Sequence, residues 1–218
     1  MATDSATGAS ADPTPPLPLP LSEAPGAALA LALVALFVAR IVWGVGDDWG
    51  LSALALRRGA WWTLLAHMLV HGGILHIAMN GAALAGVGAA LTPFLGRGGE
   101  RWARFGALFL GSGLAGATLF LAFNPHGAVP MVGASGAIYG LLGVLLRARV
   151  GGGRQPLWSP RMGRAILGLV QQNVVLILIL AVPAFLGGSA VGLAWEAHLG
   201  GLLFGLLAGP WFFARKLP

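Results

Sequence analysis

Six strongly apolar segments, separated by more polar connections, follow one another between residues 27 and 213. An α-helix rises about 1.5 Å per residue, so about 20 apolar residues cross a hydrocarbon core about 30 Å thick. Five segments have that length and the fourth is shorter. The pattern predicts an all-α polytopic membrane protein with six transmembrane helices. The predicted spans are Ala27–Val45, Ile74–Leu95, Phe105–Phe123, Ser135–Leu146, Ala165–Leu186 and Trp195–Phe213.

The region before the first span has a different character. Residues 1–24 are polar and rich in Pro and Ala, which favours a disordered or polyproline-like chain. They lack the basic start of a signal peptide. We expect a disordered cytoplasmic tail over 1–24 and a six-span membrane domain over 25–218.

The connection between spans 1 and 2, from about Gly46 to Gly73, is long and apolar. Connections longer than about 12–15 residues are usually functional or disordered. The many Leu and Trp residues of this one argue against disorder. We expect a structured external loop, with its tryptophans at the headgroup level or packed against the helix bundle.

The composition supports a membrane protein. Hydrophobic residues make up 57% of the 218 residues and charged residues 9%, whereas soluble domains carry about 25% charged residues. The chain contains no Cys, which excludes a disulfide framework and a thiol nucleophile.

The basic residues predict the orientation of the spans. Ten of the 13 Lys and Arg residues lie in the connections after spans 2 and 4 and after span 6. Because short basic connections stay in the cytoplasm, both termini are predicted to be cytoplasmic. The net charge of +6 does not indicate nucleic acid, since the basic residues lack interleaved aromatic residues. We expect an integral protein of a bacterial inner (plasma) membrane.

A serine begins the short fourth span, in the stretch MVGASGAIYGLLG. Arg147 marks the cytoplasmic end, which places Ser135 about 18 Å above it and roughly 10 Å below the outer surface. The preceding residues 123–133 contain two Pro and two Gly and form a poor helix. Irregular backbone at this depth is buried in protein or lines a wet cavity. Ser135 is therefore predicted to face an outward cavity, with helix packing as the alternative.

A histidine at similar depth offers a base for this serine. His198 begins span 6, and glycines on spans 4 and 6 allow a close approach that brings its ring to Ser135. A hydroxyl nucleophile needs such a base. Glu196 points to another helix face, so we predict a Ser–His dyad rather than a triad. The glycines are Gly136, Gly140 and Gly143 on span 4 and Gly201, Gly205 and Gly209 on span 6.

Three further polar residues lie at matching depth. His76 and Asn80 are four positions apart, so they share one helix face as candidate donors to an oxyanion. Tyr139 lies four residues after Ser135, where it could pack on the imidazole of His198. The alternative for all three is ordinary hydrogen bonding or packing between helices.

The remaining polar residues near the spans are expected to be structural. The spacing of His67, His71 and His76 suggests a zinc site. However, the chain has no H-E-x-x-H motif, and the spans contain no acid apart from Glu196 at the rim of span 6. We expect histidines that brace the loop, and neither a metal nor a cofactor. Three residues on span 5 are expected to hydrogen-bond between helices: Gln171, Gln172 and Asn173.

Three motifs in this order resemble the rhomboid family of intramembrane serine proteases. They are HGGILHIAMN in span 2, GASGAIYGLLG in span 4 and AHLGGLLFG in span 6, and the resemblance extends roughly from Trp61 to Gly209. It implies Ser135 as nucleophile and His198 as base. The other implied site residues are the oxyanion donors His76 and Asn80, Tyr139 against His198, the motif glycines Gly133 and Gly136, and His71 near the active-site water.

The resemblance implies a function and its partners. We expect an endopeptidase that cleaves transmembrane segments of single-span membrane proteins near the outer membrane face, embedded in a lipid bilayer. The alternatives are a catalytically silent rhomboid-like binder of transmembrane helices and a small transporter. A transporter would favour paired intramembrane carboxylates or inverted repeats, and the sequence has neither. The sequence does not indicate an oligomeric state.

Overall fold

The computed structural model describes residues 20–149, 154–186 and 193–214. Most of the predicted tail, residues 1–19, lies outside these ranges. The described residues form eight α-helices and no strand. The helices are α1 (Pro25–Trp43), α2 (Ala53–Arg57), α3 (Thr63–Ala66), α4 (Ile74–Leu91), α5 (Gly98–Phe123), α6 (Ser135–Arg147), α7 (Pro160–Leu186) and α8 (Trp195–Ala208).

Six helices overlap the six predicted spans, and α1, α5 and α7 begin earlier than predicted, α5 and α7 by at least five residues. Helix α5 begins at Gly98 with Glu100 in its first turn, where an acid favours the positive helix end. Helix α7 begins at Pro160, and the Ser159 hydroxyl accepts the amide hydrogen of Met162 at 3.2 Å as a cap. Both helices therefore begin in polar sequence, at residues that favour a helix N-terminus, several residues before their apolar segments.

Three described segments are long and apolar enough to cross a membrane. They are Pro25–Trp43, Ile74–Phe94 and Gly98–Phe123. The second contains α4 and a 3-10 turn at Thr92–Phe94, where Pro93 ends the regular helix. Helix α6 is apolar but has only 13 residues.

Glycines let α8 pack closely on both α5 and α6. A Cβ atom on Gly201 would fall on the carbonyl oxygen of Gly136, and one on Gly205 would fall on that of Gly140. On the other side, a Cβ on Gly116 of α5 would lie 2.7 Å from the Ala197 carbonyl oxygen. No larger side chain fits at these backbone contacts. The two glycine-rich faces of spans 4 and 6 therefore meet.

The connection between α1 and α4 is folded. It contains α2, α3 and a 3-10 turn, and Leu51 pairs with Met131 through two backbone hydrogen bonds of 2.9 and 2.8 Å. Leu51 is fully buried against a small core with Ala197. Trp61 and Trp62 are more than half exposed. The connection thus holds the segment before α6 in place while presenting two tryptophans outward.

The N-termini of α4, α6 and α8 lie at the same end of the bundle as this connection, and we call it the loop end. At the opposite end, the backbone amide of Ala214 donates to the Phe94 carbonyl at 2.8 Å. The Arg101 guanidinium there pairs with the Glu23 carboxylate. The residues before α1 are therefore tied to the start of α5, on the side away from the loop end.

Candidate functional site

Ser135 and His198 meet at the loop end. Ser135 is the first residue of α6, and His198 lies in the first turn of α8 with only 4% of its surface exposed. The Nε2 atom of His198 lies 2.8 Å from the Ser135 Oγ. Close packing of the glycine faces brings together two residues 63 positions apart. This is the geometry in which an imidazole can take a proton from a hydroxyl.

The imidazole of His198 is fixed on its other sides by two residues. The Tyr139 ring stacks on it, with centroids 4.3 Å apart and an angle of 8° between the planes. Its Nδ1 atom lies 2.9 Å from the side-chain oxygen of Asn173 on α7. The sequence identifies no partner for this Nδ1 atom, and the one that the structure places there is an amide rather than a carboxylate.

Two side-chain donors converge beside the serine, next to Gly133. A Cβ on Gly133 would lie 2.6 Å from Nε2 of His76 and 3.4 Å from Nδ2 of Asn80. Gly133 has a φ of +114°, which L residues rarely adopt. The motif glycine is thus required both by its backbone conformation and by the two donors.

Both donors are free to bind an oxygen. The amide hydrogen of Gly72 donates to His76 Nδ1 at 3.3 Å, so a neutral His76 carries its proton on Nε2. Asn80 is buried, and its Nδ2 has no hydrogen-bond partner among the described residues. Buried donors are nearly always satisfied, so this amide, which lies next to Gly133 and His76, is a candidate partner for a substrate oxygen.

A family model named Rhomboid domain matches residues 58–215, most of the chain. The chain belongs to the rhomboid family. The resemblance carried by the three motifs is thereby confirmed, and all the candidate site residues of this rhomboid fall within the matched range.

Curated relatives of this rhomboid come from bacteria, plants and a fungus. Rhomboid protease GluP of Bacillus subtilis (strain 168) is 33% identical over 153 residues, which are 70% of this chain and 26% of that protein. RHOMBOID-like protein 5 of Arabidopsis thaliana is 30% identical over 154 residues, 71% of this chain and 45% of that protein. Putative rhomboid protease YdcA of Bacillus subtilis (strain 168) is 38% identical over 93 residues, 43% of this chain and 44% of that protein. The chain spans less than half the length of each of these relatives.

Two further histidines brace this rhomboid site from the connection. The fully buried His71 accepts the Ala134 amide hydrogen on Nε2 at 3.5 Å and contacts the His76 ring edge to face. Burial, with smaller contributions from His76 and Arg40, lowers the pKa of His71 to about 3. The carbonyl of His67 accepts the Gly133 amide hydrogen at 2.8 Å, and burial also lowers the pKa of His67. Both histidines stay neutral and position the backbone before Ser135.

The other polar residues lie away from the reacting atoms. Glu196 accepts a hydrogen bond from Asn124 at 3.2 Å, so it is turned from the imidazole, as its spacing predicts. Gln171 and Gln172 are exposed. Gly136 lies against the Ala197 carbonyl oxygen, where a Cβ would be 3.1 Å away, and therefore serves the packing of α6 on α8.

Asn173 hydrogen-bonds between helices, as the sequence predicts, but the sequence does not indicate that its partners are Tyr139 and His198 of the site. Helical spacing indicates that Asn173 faces inward. Met162, Ile166 and Leu169 pack in one cluster with Tyr139, and residue 173 follows them on the same helix face, at successive intervals of four, three and four residues. The neighbouring glutamines fall off this stripe. Asn173 was thus identifiable as the inward polar residue of span 5, although not as a partner of His198.

Proposed function

We propose that this rhomboid is an intramembrane serine endopeptidase with Ser135 as nucleophile and His198 as general base. The observation that carries the proposal is the 2.8 Å contact between Ser135 Oγ and His198 Nε2. Nearby lie His76 and the Asn80 Nδ2 atom, which has no hydrogen-bond partner among the described residues. The names of its bacterial relatives as rhomboid proteases support the same reaction class. Because the chain covers only part of those proteins, the activity is assigned here from its own residues.

In the first step the Ser135 hydroxyl gives its proton to Nε2 of His198, and Oγ forms a bond to the carbonyl carbon of the scissile peptide. Negative charge develops on the former carbonyl oxygen. The Nε2–H of His76, the Nδ2–H of Asn80 and the backbone N–H of Ser135 are the donors assigned to it. The Ser135 N–H begins a helix, where amides have no partner within the helix.

The acyl-enzyme then forms as the peptide C–N bond breaks, and the leaving nitrogen takes the proton from His198. Water attacks the ester, again giving a proton to Nε2, and Ser135 recovers its hydrogen as the acid product leaves. A cavity of about 490 Å³, whose lining includes Arg40, His71 and Gly72, opens beside the site and is a suitable route for that water.

The proposed substrates are single-span membrane proteins. A peptide bond inside an intact helix has its backbone groups hydrogen-bonded along the chain, so cleavage requires a locally unwound segment. Small or helix-breaking residues near the end of the substrate span favour such unwinding. The segment docks laterally between helices and reaches Ser135 near the outer end of α6.

The proposed topology has six transmembrane spans. The loop end faces outward and both termini are cytoplasmic. Three described segments have the length and hydropathy of spans, and the connections that follow spans 2 and 4 hold most of the basic residues. We assign the protein to a bacterial inner membrane, with residues 1–24 as a cytoplasmic tail.

Covalent labelling of the serine tests the proposed chemistry. Purified protein in detergent is treated with a biotinylated fluorophosphonate, and the modified peptide is identified by mass spectrometry. We expect label on Ser135 in the native protein and little label on a His198→Ala variant. A catalytically silent binder or a transporter would leave Ser135 unlabelled while retaining a folded thermal transition.

A further inference from the structure

We propose that Asn173 is a positioning residue, which holds His198 in the tautomer that can take the Ser135 proton. This inference rests on the proposed peptidase function and extends its machinery to a third helix. The two ring nitrogens of His198 have different partners. Nε2 lies 2.8 Å from Ser135 Oγ, and Nδ1 lies 2.9 Å from Asn173 Oδ1.

The hydrogen bonds of Asn173 fix which way its amide group points. One end of the amide lies 2.9 Å from the carbonyl oxygen of Leu169 and 2.6 Å from the Tyr139 hydroxyl. A backbone carbonyl oxygen can only accept, so the amide atom facing it must be the NH₂ nitrogen. The amide oxygen is consequently the atom that faces His198.

This orientation in turn fixes the imidazole. The Asn173 oxygen can only accept, so Nδ1 of His198 must carry a hydrogen. In a neutral ring Nε2 then has a lone pair, directed at the Ser135 hydroxyl, which donates to it. The Ser135 hydroxyl therefore donates to Nε2 of His198, which is the hydrogen-bond direction that a general base needs.

Among the groups near the His198 ring, the Asn173 amide is the one that accepts from Nδ1. Tyr139 from α6 and His76 from α4 are the titratable groups near the His198 ring, and Glu196 on its own helix is bonded to Asn124. Without the Asn173 oxygen the proton could move to Nε2, which would abolish proton acceptance from Ser135. In a well-studied serine protease triad, a wrong tautomer lowers kcat by about 10⁴. We expect loss of the Asn173 amide to lower kcat by less than this, because the amide is neutral and stacking on Tyr139 still restrains the His198 ring.

The test compares Asn173→Leu and Asn173→Asp with the native protein, using cleavage of a single-span substrate in proteoliposomes between pH 5 and 9. Gln172→Leu, an exposed neighbour on α7, is the matched control. We expect Asn173→Leu to lower kcat about 10- to 100-fold with KM within about twofold. Asn173→Asp keeps the acceptor, and its negative charge favours the imidazolium. The acid limb of its pH profile should therefore move up by about one pH unit or more.

An Asn173→Leu protein with the native kcat and pH profile overturns the inference. If that variant fails to fold, the Asn173→Asp profile decides, because an acid limb at its native position would mean that residue 173 does not face Nδ1 of His198. Failure of the proposed function looks different, since the native protein would then cleave no substrate at all. A native enzyme that cleaves, alongside Asn173 variants that match it, rejects the positioning role and leaves the peptidase intact.

Discussion

At the residue scale, the mechanism proposed for the candidate site uses groups that carry no charge at rest. His198 is bonded to a hydroxyl and an amide, and the two residues assigned to the oxyanion are also neutral. A charge buried at membrane depth is costly because it loses its hydration. Neutral partners avoid this cost in the resting site, and charge develops only during the reaction, where the donors already lie in position.

Removal of one oxyanion donor should slow the chemical step. We expect His76→Ala and Asn80→Ala each to lower kcat by about 10²- to 10³-fold with little change in KM, since the donors act on charge formed in the transition state. Steady-state cleavage in proteoliposomes measures this. Met79→Ala, an exposed position on the same helix, is the control. Equal kcat for Asn80→Ala and the control would reject the oxyanion assignment.

The buried His71 should make stability fall in acid. Its pKa is about 3 when folded and 6.5 in the unfolded chain, because burial opposes the charged ring. Between those values the unfolded chain binds a proton that the folded chain does not. The free energy of unfolding should therefore fall by about 1.4 kcal/mol per pH unit as pH drops below about 6.

Thermal unfolding in detergent at pH 7, 6 and 5 measures this dependence. A His71→Asn variant removes the group, and we expect its stability to depend less steeply on pH than that of the native protein. His67 contributes with the same sign in both proteins, because burial lowers its pKa too. Parallel curves for the two proteins would show that His71 does not titrate as described.

The sequence predicts most of this site and misses one part of it. Depth arguments from Arg147 and the helical rise place Ser135 and His198 at one level, and periodicity pairs His76 with Asn80. The partner of Nδ1 could not be predicted in the same way, because it depends on the rotation and tilt of α7 against α6. Helical spacing shows that Asn173 faces inward, but not which group it meets.

At the element scale, the glycine contacts between α6 and α8 hold Ser135 and His198 together. The sequence predicts that these faces pack, since glycine has no side chain to separate the backbones. Helix starts are predicted less well, and α5 and α7 both begin in polar sequence before their apolar segments. Their capping signals lie outside the hydropathy pattern from which the spans are predicted.

Filling one glycine contact should separate the catalytic pair. A Cβ on Gly201 falls on the Gly136 carbonyl oxygen, so Gly201→Ala forces α8 away from α6. We expect a loss of about 1–3 kcal/mol in stability and a marked fall in kcat. Thermal unfolding and cleavage measure the two effects. Gly106→Ala on α5, where a Cβ meets open space, should keep both near native values. Native behaviour of Gly201→Ala would contradict the described packing.

At the scale of the whole molecule, orientation in the membrane decides on which side of it the candidate site lies. The candidate site lies at the loop end, whereas Arg147 and the start of α5 lie at the other. The distribution of basic residues predicts that the loop end faces outward. Helix packing alone does not determine this direction, because a bundle is equally well packed in either orientation.

The absence of Cys in the sequence allows a clean test of this orientation. Single cysteines are introduced at two highly exposed positions, Val129→Cys near the loop end and Trp158→Cys at the other. A membrane-impermeant maleimide applied to intact cells should label Val129→Cys at once and Trp158→Cys only after the membrane is permeabilised. The reverse pattern would place both termini outside.

The most direct test of the central claim is proteolysis by the purified chain. The native protein and Ser135→Ala are reconstituted separately into liposomes with a single-span substrate that carries a helix-breaking residue near its outer end. We predict that the native protein produces two fragments cut within or beside the span, and that Ser135→Ala produces none while showing the same thermal unfolding. Equal cleavage by the two proteins, or none by the native protein across a panel of such substrates, would contradict the assignment of Ser135 as the nucleophile of an intramembrane peptidase.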